Sequence, residues 1–521
     1  MGAVVQVLGT ANHSLTVFTD GAGHYTASGL LPGLYSLEVT APSFLPALRE
    51  KIGLRPGASL NVNVTLNTLL NVMELGPVRP LPDDDDWKWT LRSVANRPIL
   101  RALDEAASGG ALAGNQKRDL RGSLSFLAGS AAGGYGTGSD MSTGFKLERS
   151  LFADGLLHFS GNVGYGQGPP AAVLHAGYSH QLADGSQPTM GLTVRRFAPT
   201  DPSLHNAALQ ALALSGADDI VLGDVVELKF GSELQAIQFL GHVTAFRPYG
   251  SAQFALSPNT ILEYGYSTSR PDMFAEKGFD TAPADLNETN PRISLAGNAP
   301  MVESAHHNEL SVSRRLGKNA VQVAVYSDRI TNPALIGVGE VTSASGFLLP
   351  DLASGTFSFT GQNLNTQGAR VLLEHKFAVD LTATLDYAYG GVLDLAGSDI
   401  QLGSGPLPIV EQRRQAVAAK FSGTLPRSKT RWIASYRWVN GTALTPVDMF
   451  NATPGQSDPF LNIFIRQPLP SMGFLPGHVE AVIDLRNLLA QGYVPVVGQD
   501  GQTVYLVQAA RSIRGGVAFT F

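Results

Sequence analysis

Few side chains in this sequence stand at spacings that could do chemistry. His306-His307-Asn308-Glu309 contains the H-x-x-E spacing of some zinc peptidases. The segment reads as the start of a strand, where positions three apart point to opposite faces, so His306 and Glu309 are not expected to share one metal ion. Asp83-Asp84-Asp85-Asp86 gathers hard-cation ligands but lacks the interposed glycine and distal glutamate of a calcium loop. A solvated charge run or a helix N-terminal cap is the other reading of these aspartates. Gly129-Ser130-Ala131-Ala132-Gly133-Gly134-Tyr135-Gly136 holds no basic residue to meet a phosphate and reads as a flexible loop. No G-x-S-x-G elbow and no P-loop pattern occurs. With no cysteine, disulfides, thiolate metal sites and a thiol nucleophile are excluded. No catalytic, cofactor-binding or metal-ligating residue is assigned, and an enzyme is not expected.

The elements that would position any site are strands. The chain ends in Val517-Ala518-Phe519-Thr520-Phe521, with larger side chains alternating with small ones. The same period of two runs through Leu381–Tyr389, where odd positions are apolar, and through Val479–Arg486, where Val479, Ala481 and Ile483 alternate with Glu480, Val482 and Asp484. Trp432, Ala434, Tyr436 and Trp438 face away from Ser435 and Arg437, and Leu157, Phe159 and Val163 away from His158, Ser160 and Asn162. No stretch is long and apolar enough for a helical span, and mean hydropathy is only +0.04. Alternation without apolar runs predicts an all-β chain dominated by a large antiparallel transmembrane β-barrel, with lipid outside and a polar lumen. Glu374, Lys376, Asp386, Glu480, Asp484 and Arg486 then project into the interior, where they tune selectivity or serve lumen packing. The net charge of −6 and the lack of a basic block speak against a nucleic-acid partner.

The connections are countable. Seven short turns, near 152–155, 183–186, 257–260, 316–319, 378–380, 426–430 and 470–474, alternate with eight longer stretches, giving about sixteen strands within a range of fourteen to eighteen. Both barrel ends fall on the short-turn side. The longest connections, 198–235, 270–304 and 330–362, are expected to contact an extracellular solute, with Asn206–Leu214 forming a short helix over the pore.

Residues 1–70 read as a small β-sandwich, with a strand over Ser59–Leu66 whose apolar face is Leu60, Val62, Val64 and Leu66. Thr19–Tyr25 (T-D-x-x-G-x-Y), Gly29–Val39 (G-L-x-P-G-x-Y-x-L-x-V) and Leu54–Leu66 together resemble the carboxypeptidase regulatory-like, or transthyretin-like, module. In that family the module is a non-catalytic β-sandwich, sometimes grouped with carbohydrate-binding sandwiches. It usually has a further strand and a signal peptide ahead of the point where Met1-Gly2-Ala3 begins, so a longer native start is expected. Residues 71–121 read as a periplasmic linker. Pro77, Pro80 and Pro82 lead into the aspartates, and Trp87, Leu91 and Val94 share a helical face that Pro98 ends. Residues 122–521 are the barrel.

The C-terminal half resembles TonB-dependent receptors. The resemblance lies in Ile261–Pro271 (I-L-E-Y-G-Y-S-T-S-R-P), in Val482–Tyr493 (V-I-D-L-R-N-L-L-A-Q-G-Y), in the closing Phe521, and in the order of module and barrel. It implies residence in a bacterial outer membrane with the N-terminal module in the periplasm. It also implies contact with outer-membrane lipid, uptake of an extracellular solute, and a periplasmic energy-transducing partner. The family also has a plug of more than a hundred residues, which 71–121 cannot hold, and a barrel of about twenty-two strands. No TonB-box peptide is evident, which leaves energy coupling open. The expected function is a receptor or transport-type barrel that binds or passes a solute, a glycan or a peptide, through its outer loops. The alternative is a surface adhesion or carbohydrate-binding protein anchored by its barrel.

Overall fold

The structure is a computed structural model. It describes residues 3–9, 14–41, 47–64, 120–129, 141–151, 155–165, 170–182, 186–197, 208–222, 225–268, 292–297, 299–339, 346–351, 356–378, 381–397, 401–402, 407–450, 460–470, 477–498, 504–507 and 511–521. The linker expectations, Asp83–Asp86 and the Trp87 helix included, lie outside the described residues, as does most of the glycine-rich run after Gly129. The chain divides into two compact units, Met1–Asp83 and Asp84–Phe521.

The first unit holds β1 (Val4–Gly9), β2 (Ser14–Phe18), β3 (Gly33–Thr40) and β4 (Ala47–Leu54), paired antiparallel in the order β2-β1-β3-β4. One face of this sheet buries Val5, Val7, Tyr35, Leu37 and Val39. Coil segments bearing Tyr25, Ala27, Leu30 and Val64 cover that face. Residues 59–66 were expected to be a strand, but the described part, 59–64, joins no ladder. Only Val62 and Val64 turn inward, and the Tyr25 hydroxyl donates to the Val62 carbonyl at 2.8 Å. Asp20 organises the preceding turn by accepting from the Ala22 and His24 amides at 2.9 and 2.8 Å.

The second unit begins with β5 (Leu120–Gly129), β6 (Met141–Leu151), β7 (Gly155–Tyr165), β8 (Ala171–His180), β9 (Thr189–Phe197) and β10 (Leu209–Leu222). Then come β11 (Val226–Gln238), β12 (His242–Ser257), β13 (Thr260–Ser267), β14 (Ile293–Ala296), β15 (Ala299–Val302), β16 (Ser304–Leu316), β17 (Asn319–Thr331) and β18 (Ala334–Val338). They are followed by β19 (Leu348–Asp351), β20 (Thr356–Thr360), β21 (Leu364–Ala378), β22 (Leu381–Leu395), β23 (Gln401–Leu402) and β24 (Ile409–Thr424). The last are β25 (Arg431–Val439), β26 (Phe460–Pro468), β27 (His478–Arg486), β28 (Val494–Gly498), β29 (Val504–Val507) and β30 (Ser512–Thr520).

Eighteen of these strands close a barrel in the order β5 to β13, β16, β17, β21, β22, β24 to β27 and β30, with β30 pairing back onto β5. Closure is what lets a sheet cross lipid, because no edge is left with unpaired amides. The exterior carries the apolar set that alternation predicts, among them Phe159, Leu192, Leu234, Val323, Leu385 and Ile483, all exposed. The opposite face of the same strands is polar. This is the build of an outer-membrane barrel.

Eighteen lies at the top of the expected range. The two strands beyond sixteen are β10 and β11, which take up most of the stretch 198–235 that was expected to be a loop, β11 running on to Gln238. The helix expected at Asn206–Leu214 is corrected with them. From Leu209 onward this segment is strand, with Leu209, Ala211 and Ala213 buried on the lumen side and Leu212 and Leu214 exposed toward lipid. Ladders to β9 and β11 on both sides satisfy every amide that a helix would, and they win over the local helix propensity of alanine and leucine.

The long connections do not hang free. The β13–β16 connection contributes the β14-β15 hairpin. Three other connections build one six-stranded sheet in the order β19-β20-β18-β29-β28-β23. Its strands come from the β17–β21, β22–β24 and β27–β30 connections. Ser358 Oγ and Thr360 Oγ1 donate to the Ile293 and Leu295 carbonyls at 3.0 and 3.1 Å, tying β14 to β20. Leu335, Phe357, Phe359, Val494 and Val496 pack with barrel residues Ile330, Leu364 and Leu393. Ile293, Leu295 and Leu349 pack with Val173, Phe197 and Ile237 at the barrel rim. The result is a lid on the long-connection side.

Candidate functional site

β16 and β17 alternate strictly between buried and exposed positions, so His307 and Glu309 share the lumen face while His306 looks outward. His306 and Glu309 do lie on opposite faces. His306 Nδ1 lies 3.2 Å from the Tyr266 hydroxyl, whereas His307 is enclosed. His307 Nδ1 bonds Asp328 Oδ1 at 2.5 Å, across the register pair that joins the two strands. Its Nε2 is 3.3 Å from Glu309 Oε2. Arg370, on the lumen face of β21, donates from Nη2 to Glu309 at 3.1 Å and from Nη1 to Asp448 Oδ2 at 2.7 Å. Burial at this depth demands such pairing, because an unpaired charge there is very costly.

Asp448 does not belong to the wall. It sits in the connection after β25, which folds back into the lumen. Gly441 turns the chain at φ +81, and Thr442 Oγ1 then donates to Asp394 at 3.0 Å, where Arg414 also donates at 2.8 Å. The Leu444 amide donates to the Leu393 carbonyl, and Thr445 Oγ1 accepts from the Leu393 amide, at 2.7 and 2.9 Å. Ala443 and Val447 pack on Ala388, Val392 and Ala416 of the lumen wall. Phe450 stacks on the His307 ring at 4.3 Å between centroids. Residues 441–450 are thus held against the inner wall by apolar contact and latched by Arg370. Burial pushes the Asp448 carboxyl up to about 6, against the pull of the Arg370 guanidinium.

A second ionic group lines β25 to β30. Glu480 pairs with Arg431 at 2.6 Å and with Arg466, while Asp484 pairs with Arg514 at 2.6 Å and Arg486 at 3.1 Å. Arg437 reaches Asp386 of β22 at 3.5 Å. On the far side Lys229 lies between Glu227 at 3.0 Å and Asp219 at 3.7 Å. Tyr326 lies flat across two glycines, with a Cβ on Gly368 falling 2.3 Å from its ring and one on Gly390 falling 2.4 Å from its hydroxyl.

Of the residues expected inside, Glu374, Asp386, Glu480, Asp484 and Arg486 are all buried on the lumen face, and Lys376 is half-buried. They do not form one site, since Glu480, Asp484 and Arg486 belong to the arginine wall and Glu374 to neither group. His307, Arg370, Asp448 and Phe450 were missed. Arg370 shares the parity of Glu374 and was open to the same reasoning. Nothing local marks Asp448, whose role arises from a connection folding inward. Among the described residues no group of histidines and carboxylates is arranged to hold a metal ion.

Residues 1–67 match the carboxypeptidase regulatory-like domain. A search of curated proteins finds no match to the chain. Among solved structures, the siderophore receptor PirA from Pseudomonas aeruginosa aligns over 78% of this chain and 81% of its own, at 10% identity and a TM-score of 0.36. The ferric enterobactin receptor PfeA from Pseudomonas aeruginosa aligns over 100% and 80%, at 10% identity and a TM-score of 0.36. OmpT, an outer membrane protein of Vibrio cholerae, aligns over 77% and 97%, at 9% identity and a TM-score of 0.29. Likeness of this degree concerns barrel form alone, and the functional reading rests on this chain's own geometry.

Proposed function

We propose that this chain is a gated transport-type barrel of the outer membrane, taking a solute from the long-connection side inward past the lid and past residues 441–450. The N-terminal module is assigned to the periplasm. The observation that supports this reading is the latch. A connection folded into a charged lumen and held by an ion pair, Arg370 to Asp448, is a device for opening, and a barrel serving only as an anchor has no use for it.

The test exploits the absence of cysteine. Val338 and Leu506 are register partners where the lid joins strands of two different connections, so cysteines at both positions can form a disulfide across that joint. In planar bilayers the reduced V338C/L506C protein is expected to show solute-blockable currents, and oxidation should abolish them reversibly. Currents identical in both states would refute the lid as gate. A protein silent in both states would favour the anchored adhesion reading.

A further inference from the structure

The outward face of the barrel changes character along single strands. Toward the short turns β16 presents Leu310 and Val312, β17 Val323 and Val325, β21 Val371 and Leu373, and β22 Leu385 and Tyr387, all exposed. Toward the long connections the same parity continues as His306 and Asn308, Ser327 and Arg329, Asn365 and Gln367, and on β24 as Arg413 and Gln415. The ladders run unbroken from one set to the other, so this step marks where hydrocarbon gives way to headgroups. The polar side chains lie against the wall. The Tyr264 hydroxyl donates to Asn308 Oδ1 at 2.9 Å, and the Tyr266 hydroxyl meets His306. Arg413 reaches across β22 at Gly391, its register partner, and donates from Nη1 to the Gln367 carbonyl of β21 at 2.7 Å. Arg329 is the register partner of Asn365, two residues along from Gln367. Its Cα therefore lies roughly 8 Å from the point the Arg413 guanidinium reaches. The lumen arginines described above are each held by a carboxylate, whereas Arg329 and Arg413 are exposed and meet none among the described residues. Glu411, the outward acid on β24, stands two residues beyond Arg413, further from the apolar band.

We infer that this patch binds the phosphorylated headgroup of a lipid in the leaflet on the long-connection side. With Nη1 fixed to backbone, Arg413 keeps Nε and Nη2 for the phosphate, and Arg329 supplies a second guanidinium. Asn365 and Gln367 offer hydrogen bonds to the rest of the headgroup. The acyl chains then lie along Leu310, Val325 and Val371 of the same strands. A free phosphate meets the two arginines alone and gains nothing from the apolar face that a lipid covers. A zwitterionic lipid brings its own cation beside its phosphate, which sets that cation against both arginines. Such a lipid sits outside the lumen, whether or not a solute passes through it.

The experiment reconstitutes the full chain into phosphatidylcholine bilayers with a minor share of phosphatidic acid, extracts it in a neutral detergent, and reads the retained lipid by native mass spectrometry. Two arginines at about fivefold each predict that phosphatidic acid is retained about thirtyfold above its share of the bilayer. Arg329→Gln and Arg413→Gln should each cost about fivefold, and the double variant should hold the lipid no better than phosphatidylcholine. Arg196→Gln removes another exposed outward arginine at the long-connection end, on β9, and should change retention by less than about twofold. An equal loss there would reduce the effect to general surface charge and overturn the site. Retention in proportion to bilayer share, or displacement by millimolar inorganic phosphate, would overturn the lipid assignment. Each substitution exchanges one exposed polar side chain for another, and the comparison of the two lipids on the unaltered protein stands without them.

Discussion

Replacing Arg370 with methionine isolates the latch. The substitution removes the one guanidinium shared by Glu309 and Asp448, leaving Asp448 buried without its cation beside Glu309, which keeps His307 at 3.3 Å. Removing one partner of a buried ion pair costs about 3–5 kcal/mol. Glu309 is fixed in β16 by ladders on both sides, so the cheapest relief is for residues 441–450 to leave the wall. Packing of Val447 and Phe450 opposes that, at about 1.5–3 kcal/mol for each fully buried side chain. Packing keeps the loss near the low end of its range, about 3 kcal/mol, so the docking equilibrium constant should fall by about two orders of magnitude. Val447 is fully buried and the chain has no cysteine, so Val447→Cys gives a single reporter thiol. Its labelling rate by a polar thiol reagent should rise about a hundredfold in the Arg370→Met background. Adding Glu309→Gln and Asp448→Asn removes the stranded charges and should return most of the protection. A labelling rate within about twofold of the Arg370 protein, at full folding, would refute the latch.

The remaining expectations concern charge, packing and lipid exposure. Asp448 is pushed up to about 6 where it is docked, above its ordinary value of 3.8, so docking takes up a proton. That stabilisation is present at low pH and is lost as pH rises through about 6, so the protection of the thiol at position 447, its labelling rate taken relative to a free thiol at the same pH, should be greater at pH ~5 than at pH ~7.5. Glu309, Asp328, His307 and Arg370 face the same carboxyl, and Asp448→Asn should flatten the dependence if Asp448 is its source. Gly368→Ala would place a methyl group 2.3 Å from the Tyr326 ring. An overpacking cost of about 1–3 kcal/mol should lower the unfolding temperature, with Tyr326→Ala in the same chain relieving part of it. Leu212→Arg puts a cation on the lipid face of β10, which should cost about 2–4 kcal/mol in folding titrations into bilayers. A Leu212→Arg variant as stable as the parent would mean that the β10–β11 assignment is wrong.

The barrel was legible because its rule is local. A period of two and a short turn can be read within ten residues, and they placed Asp386, Glu480, Asp484 and Arg486 on the lumen face before any pairing was known. The rule failed at Leu209–Leu214, where small residues point into the lumen and alanine with leucine imitates a helix. The lid was illegible for a different reason. β18 finds β20 nearby, but its other edge takes β29, from a connection near the far end of the chain. No periodicity announces such a pairing. Asp448 is a loop residue that acquires meaning only when its connection folds inward. In the first unit β4 was missed, and the strand expected at 59–66 proved to be covering coil over its described part.

The two ends of the barrel do different work, and the strength of their pairings shows it. At the seam, Phe521 exchanges both backbone hydrogen bonds with Gly122, at 3.0 and 3.1 Å. Its ring occupies the space a Cβ on Gly122 would need, and Phe519 stacks beside it at 5.6 Å. The terminal aromatic therefore belongs to closure, on the side of the short turns. On the opposite side, among the described residues, β18 pairs with β20 over five residue pairs and β28 with β29 over four, while β18 with β29 and β23 with β28 join strands of different connections. The barrel strands beneath are held by ladders of six to fifteen pairs. Local opening follows the smallest free energy available. The short strands of the lid can thus part while the longer barrel ladders stay shut, which is the mechanical condition a gated barrel must meet.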